Sequence, residues 1–364
     1  MKNTFGNSIT LTLFGESHGE YIGAVLDGIA PGIKIDTEYI KRKLDMRRPR
    51  GKISTARVEG DGYEIVSGAK DGFTTGSSLC LLIKNENRRS GDYAALADTP
   101  RPSHADYAAH CKYRGFEDAR GGGHFSGRIT AAVVAVCAIL ESALRDKGIY
   151  VGTHIKELHG VKDSAFSDYS ADIKVLDTRL FPTLSTDAEA EMMSVIEAAA
   201  GNGDSVGGIL ESAIIGVPAG VGEPWFDSLE SMLAHALFSI PAVKGVEFGL
   251  GFGFADKYGS DANDAFATDG EKIYTKSNNN GGINGGISNG MPIIFSTAIK
   301  PTPSIFKEQD TVSLARMENA KLSLSGRHDP AIIHRARAVV DALAAFVVAD
   351  MLTVKFGTDY LANS

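Results

Sequence analysis

Cysteine is scarce in this 364-residue chain: Cys80, Cys111 and Cys137 are odd in number, widely separated and without a CxxC spacing. That pattern argues against a disulfide framework and a structural zinc site, so no metal is expected and a reducing, cytoplasmic setting is. Long hydrophobic runs are missing as well. The longest, Ala131 to Leu140, is about half of what a bilayer crossing needs, and no apolar signal core opens the chain, so no membrane partner is expected. Positive charge is not in excess. A net charge of -8 argues against generic binding to nucleic acid or to an anionic membrane. No GxGxxG lies between a strand and a helix and no GK[ST] occurs, which disfavours dinucleotide and nucleotide-triphosphate folds. Neither a repeat nor a low-complexity linker divides the chain, so residues 1–364 read as one domain.

What is abundant is glycine, 41 residues gathered in loops at 121–127, 201–208, 249–253 and 281–290. Such loops either form ordinary turns or bring bare backbone N–H groups against a phosphate or a flat ring. Strand-like runs cover 9–14, 24–27, 63–67, 79–84, 209–217, 246–252 and 292–299. Helices are predicted over 37–45 behind an Asp36 cap, over 128–147 opened by Ser126, over 187–200 and 227–239, and from Pro330 to about Val354. The stretches 129–144 and 338–352 are apolar around most of a helix circumference and demand burial on several sides. Several strands alternate as half-solvated sheets do. The class is therefore α+β, with three layers and helices buried between sheets.

Two kinds of side chain carry candidate chemistry. From Lys41 to Arg57 stand eight basic residues and one acid, Asp45, an anion-holding concentration in an otherwise acidic protein. Lys41, Arg42 and Lys43 read as a solvated helix face; Arg47 and Arg48, before Pro49, read as anion contacts. Arg101, Arg120, Arg128, Arg327 and Arg335 recur beside the glycine loops or other motifs. Ser17 and His18, between Gly15 and Gly19 after an apolar strand, form either a proton-handling corner or a tight turn. His104 sits at a helix start, where a cap or an anion site is expected. Asp329, before Pro330, reads as an N-cap.

In order along nearly the whole chain, these motifs resemble the chorismate synthase family. The resemblance is carried by Gly15-Glu16-Ser17-His18-Gly19, Arg47-Arg48-Pro49, Arg101-Pro102-Ser103-His104-Ala105-Asp106 and Arg120-Gly121-Gly122-Gly123. It continues through Gly203-Asp204-Ser205-Val206-Gly207-Gly208, Val243-Lys244-Gly245, Gly281-Gly282-Ile283-Asn284-Gly285-Gly286, Lys300-Pro301-Thr302 and Gly326-Arg327-His328-Asp329-Pro330. The resemblance implies the family's fold, a β-α-β sandwich of antiparallel sheets. It also implies conversion of 5-enolpyruvylshikimate 3-phosphate to chorismate, a 1,4-anti elimination that needs reduced FMN without net redox change. A carbon–oxygen lyase of the shikimate pathway, on the route to aromatic amino acids, would follow.

By that resemblance His18 would be the general acid toward departing phosphate, with Ser17 in its relay. His104 would stabilise the reduced flavin, and Asp329 would assist proton removal. Arg48, Arg57, Arg101 and Arg128 would hold substrate anions. His124, Phe125, Ser126, Ala242, Gly285, Lys300, Pro301, Thr302, Pro303, Ser304 and Arg327 would bind flavin. Arg47 and Lys52 are where the family pattern places NADP-type dinucleotide contacts in members that use one. A homotetramer supplied with reduced FMN by an external flavin reductase is implied too. The chain departs from the commonest pattern at Gly121-Gly122-Gly123-His124-Phe125-Ser126-Gly127-Arg128, where many members have Gly-Gly-Gly-Arg-Ser-Ser-Ala-Arg. It departs also at Met46, in place of the first of three arginines, and at Pro241, in place of an asparagine.

Overall fold

The computed structural model describes residues 2–49, 51, 53–54, 60–86, 98–324 and 329–362. Arg57, Lys52 and Arg327 lie outside these described residues.

Two five-stranded antiparallel sheets enclose a layer of helices. The first sheet runs in the order Thr4–Phe5, Thr10–Gly15, Tyr21–Asp27, Leu79–Lys84, Tyr63–Ser67. Its alternation is as read from sequence: Leu79, Leu81 and Ile83 are fully buried while Cys80 and Leu82 are half-buried. The second sheet runs Val243–Phe248, Ile293–Ile299, Gly208–Ile215, Tyr150–Leu158, Val161–Lys162.

The central helix Thr130–Asp146 packs on strands of the first sheet, and the C-terminal helix Ile333–Phe356 packs on the second. The two helices pack on each other and on the first helix, Thr37–Arg47. Nearly every residue of both long helices is buried, which their all-round apolar character required. Gly127–Asp146 is long and apolar enough to cross a membrane, but 83% of its apolar window is buried between the sheets, as in a core helix. The three-layer β-α-β reading holds.

Local signals account for most element boundaries. Asp36 caps the first helix by accepting the Tyr39 N–H at 2.9 Å. Ser126 accepts the Arg128 N–H and opens a short 3₁₀ turn that leads into the central helix.

Other readings change. The strand expected over 246–252 ends at Phe248, because Gly249 and Gly251 adopt φ of +55° and +52° and turn the chain into a 3₁₀ segment. Asp329 is not an N-cap: the C-terminal helix begins at Ile333 without a side-chain cap, and Asp329 pairs instead with Arg335 Nη1 at 2.6 Å. His104 does not cap the short helix Asp106–Tyr113, which begins after Ala105 without a side-chain cap. Lys43 is not on a solvated face. It is 1% exposed and its ammonium lies 2.9 Å from Glu141 and 3.0 Å from Asp341, where the three core helices meet.

Tyr150–Leu158 was absent from the strand assignment made from sequence, although it is central to the second sheet. Its polar Thr153 and His154 are buried: Thr153 bonds Ser212 at 2.7 Å, and His154 bridges Asp163 at 2.8 Å and Glu211 at 3.3 Å.

Two buried histidines set opposite pH dependences. His334 is fully buried, bonds Ser54 at 2.9 Å and stacks near Phe181. Burial, then the neighbouring Arg335, pushes its pKa down to about 3. The unfolded chain therefore takes up a proton below about pH 6.5 that the folded chain refuses, and stability falls as pH falls from there. His154 has the opposite sign. Burial opposes its charge, but hydrogen bonds to Asp163 and Glu211 win and raise its pKa, so its contribution is present at low pH and lost above about 6.5. The comparison that isolates His334 is urea denaturation of wild type and His334→Gln at pH 7.0 and 5.5. The wild type should lose about 1 kcal/mol more than the variant on acidification; equal losses would contradict a neutral buried imidazole.

Candidate functional site

The glycine loop after the short helix Asp106–Tyr113 organises the site. Gly121, Gly122 and Gly123 have φ of +60°, +86° and +52°, a run that side-chain-bearing residues resist. Ser17 N donates to the Gly123 carbonyl at 3.1 Å, which ties the loop to the end of strand Thr10–Gly15. A Cβ on Gly121 would lie 2.2 Å from His18 Cε1, and one on Gly122 would lie 3.3 Å from His104 Cε1. The two imidazoles, from motifs 86 positions apart, thus rest on adjacent residues whose Cα atoms are about 3.8 Å apart.

Each imidazole has a defined partner. Ser17 Oγ is 3.1 Å from His18 Nδ1 and 3.2 Å from the carbonyls of both Arg120 and Gly121. Those carbonyls take the single hydroxyl hydrogen, so Nδ1–H of His18 donates to Oγ. His104 Nδ1 lies 2.5 Å from Asp106 Oδ1, and Arg101 grips the same carboxylate at 2.8 Å through both Nε and Nη2. Burial works against charge on Asp106, but the hydrogen bonds from Arg101 and His104 outweigh it and hold the carboxyl well below the usual range. The carboxylate fixes the His104 tautomer and leaves Nε2 for other work.

A cavity of 690 Å³ opens beside the loop, within the range of small-molecule sites. It brings together His104, His124, Phe125, Ser126, Arg128, Ala242, Lys300, Thr302, Pro303, Ser304, Asp329 and Arg47 among the residues expected from sequence. Ser17 and His18 stand one residue behind this lining, both buried against Gly121. Pro301 falls between two lining residues without lining the cavity itself. Arg101 holds Asp106 and His104 rather than facing the cavity, and Arg48 sits at the end of the first helix on Asp45, the Gly60 carbonyl and Asp61. Exposed Arg120 pairs with Asp118. Gly285 is the outlier: it lies at an exposed turn whose neighbour Gly286 bonds the Leu229 N–H, at the start of helix Leu229–Phe238. Phe238, at the other end of that helix, lines the cavity, and Gly285 does not.

Several residues were missed in the sequence. Asp61 is the main one: its buried carboxylate meets Arg128 Nη1, Arg47 Nη1 at 3.4 Å and Arg48 Nε at 3.7 Å. Arg47 further donates to Thr130 Oγ1 at 3.0 Å and the Gly127 carbonyl at 3.1 Å, so it is built into the wall. Asn85 receives Arg128 Nε at 3.0 Å and donates to the carbonyls of Glu16 and Gly19 at 3.0 Å, linking the arginines to the Ser17–His18 turn. Lys244 lines the cavity near Lys300, on the neighbouring strand. Burial, then Lys244, lowers the Lys300 pKa, and its ammonium bonds the Ser103 carbonyl at 2.5 Å.

Among the described residues the cavity lining carries five permanent cations, Arg47, Arg128, Lys244, Lys300 and Arg335, against two carboxylates, Asp61 and Asp329, both already ion-paired. Backbone strain gathers there too. Of eight non-glycine residues with positive φ among the described residues, Asp61, Ser103 and Ala242 line this cavity.

Fold and site together define an α+β enzyme with a cation-lined cavity beside two oriented imidazoles. Residues 9–353 match the family model described as chorismate synthase. Chorismate synthase of Thermococcus gammatolerans is 44% identical over 352 residues, spanning 95% of this chain and 96% of that relative. The Dehalococcoides mccartyi enzyme of the same name is 45% identical over 354 residues, 96% of each chain. A crystal structure of chorismate synthase superposes with a TM-score of 0.76 at 28% identity, covering 98% of this chain and 95% of that one. The chain belongs to the chorismate synthase family.

Proposed function

We propose that this protein eliminates phosphate and a ring proton from 5-enolpyruvylshikimate 3-phosphate to give chorismate, with reduced FMN required and no net redox change. The observation that carries the reading is the 690 Å³ cavity, whose excess of fixed cations adjoins the loop on which His18 and His104 converge. The substrate bears two carboxylates and a phosphate. Guanidinium and ammonium groups in a confined site stabilise such charges, and the charge that develops on departing phosphate, far more than water would.

The residues present suit a flavin. The bare backbone of the glycine loop and the exposed Phe125 ring offer a surface for a flat ring system, while Lys300 and Lys244 await an anion. His124, Phe125, Ser126, Ala242 and the Lys300–Ser304 loop would hold it. Reduced FMN, when bound, supplies an electron-rich ring beside the substrate. The chain's own part is to hold and move protons. His18, with Nδ1–H committed to Ser17, is the acid for the leaving phosphate. His104, oriented by Asp106, donates toward the flavin, and Asp329, held by Arg335, assists proton removal. Arg128 holds substrate anions from the cavity wall, with Arg101 positioning His104 and Arg48 set behind the wall on Asp45 and Asp61.

Chemically reduced FMN and substrate, mixed anaerobically with the protein, should release phosphate and yield chorismate; folded protein that releases none would overturn the reading. In the same assay His18→Ala and His104→Ala should fold normally and lose at least about tenfold in turnover. Wild-type turnover in either variant removes that residue from the mechanism.

A cytoplasmic homotetramer fed with reduced FMN by a separate reductase belongs to the same proposal. Trp225, Phe226 and Phe252 are more than four-fifths exposed, which supports self-association.

A further inference from the structure

His124 stands where many family members have arginine, and one of its ring nitrogens is fixed by the backbone. Its Nδ1 lies 2.9 Å from the Gly15 carbonyl. A carbonyl only accepts, so Nδ1 carries hydrogen whether the ring is neutral or charged. The ring is half-buried in the wall between the large cavity and a smaller one of 360 Å³, and its Nε2 takes no hydrogen bond among the described residues. Nε2 therefore has two states, an acceptor when the ring is neutral and a cationic donor when it is protonated.

We propose that His124 makes anion binding in the large cavity depend on protonation, its Nε2 adding a charge-assisted contact to a phosphate, carboxylate or anionic ring edge only when the imidazole is charged. The inference rests on the anion-binding reading of that cavity above. Across the small cavity His124 is faced by Glu16, Asp106, Glu117, Asp118, His104 and His110. Asp106 is committed to Arg101 and His104, Asp118 to Arg120, and Glu117 to His110. Across the large cavity stand Arg47, Arg128, Lys244, Lys300 and Arg335, with Asp61 and Asp329 neutralised by arginines. Glu16, the remaining carboxylate on the small-cavity side, makes no hydrogen bond or ion pair with His124 among the described residues, and on the large-cavity side a ligand anion is the group that would favour its charge.

The test titrates oxidised FMN into wild type, His124→Asn and His124→Arg between pH 5.5 and 8, followed by flavin fluorescence, with thermal melts to show that each is folded. Asparagine keeps a donor for Gly15 and removes Nε2; arginine keeps charge at every pH. The phosphate of FMN is common to all three titrations, so only differences between the proteins count. Relative to His124→Arg, wild type should lose about tenfold in affinity from pH 5.5 to 8. His124→Asn should be about as weak at pH 5.5 as wild type is at pH 8. Parallel profiles for the three proteins, or no FMN binding by any, overturn the inference. Parallel profiles in a protein that still releases phosphate on turnover would leave the proposed function standing.

Discussion

Replacing Gly121 with alanine is expected to leave a folded protein whose turnover has fallen by at least about a hundredfold. The added methyl would sit 2.2 Å from His18 Cε1, 2.4 Å from its Nδ1 and 2.9 Å from Ser17 Oγ. None of these can yield cheaply. His18 is 4% exposed and Ser17 is fully buried, with Oγ shared between the ring and two carbonyls. The φ of +60° adds about 1–2 kcal/mol for any residue with a Cβ. The imidazole must shift by an ångström or more, and the loop that carries His104 on Gly122 shifts with it. Gly201→Ala is the comparison, since a methyl there meets nothing within 4 Å and needs no positive φ. Phosphate release by G121A at the wild-type rate would show that the packing of His18 on the loop has no part in the reaction.

Asp61→Ala should destabilise the protein by about 3–5 kcal/mol, read from urea denaturation. The Asp61 side chain is 1% exposed and serves three guanidiniums, those of Arg47 and Arg128 being 7% and 5% exposed. Removing the carboxylate takes away the one anion that these three guanidiniums share. Hydrogen bonds from Arg47 to Thr130 and Gly127, and from Arg128 to Asn85, hold these side chains in place. Inorganic phosphate should therefore stabilise D61A more than wild type, because an anion in the cavity replaces the missing charge. A loss below about 1 kcal/mol, with no added response to phosphate, would mean that solvent already screens these arginines.

Much of the architecture was legible because it follows from periodicity. Leu79–Lys84 and Tyr63–Ser67 were read to the residue, since one face of their sheet meets the helix layer and the other meets solvent. The two long apolar helices could only be core. Reading failed where polar groups are buried with partners distant in the chain. Tyr150–Leu158 lies outside the strand-like runs read from sequence, and its buried His154 is satisfied by Asp163 and by Glu211, 57 residues away. Lys43 looked solvated because Glu141 and Asp341 reach it from 98 and 298 residues away. Neither partner leaves a mark near the residue it neutralises.

The candidate site divides in the same way. Local chain chemistry alone determined that this protein has glycine loops able to accept φ above zero, histidines and arginines in ordered motifs, and helices that must be buried. Tertiary structure alone decided that His18 and His104 share one loop, that Arg101 orients an imidazole while Arg128 faces the cavity, that Gly285 lies outside it, and that Asp61 gathers three arginines. Backbone preference is a property of neighbours in sequence. The field in a cavity is a sum over charges that only folding brings within a few ångströms of one another.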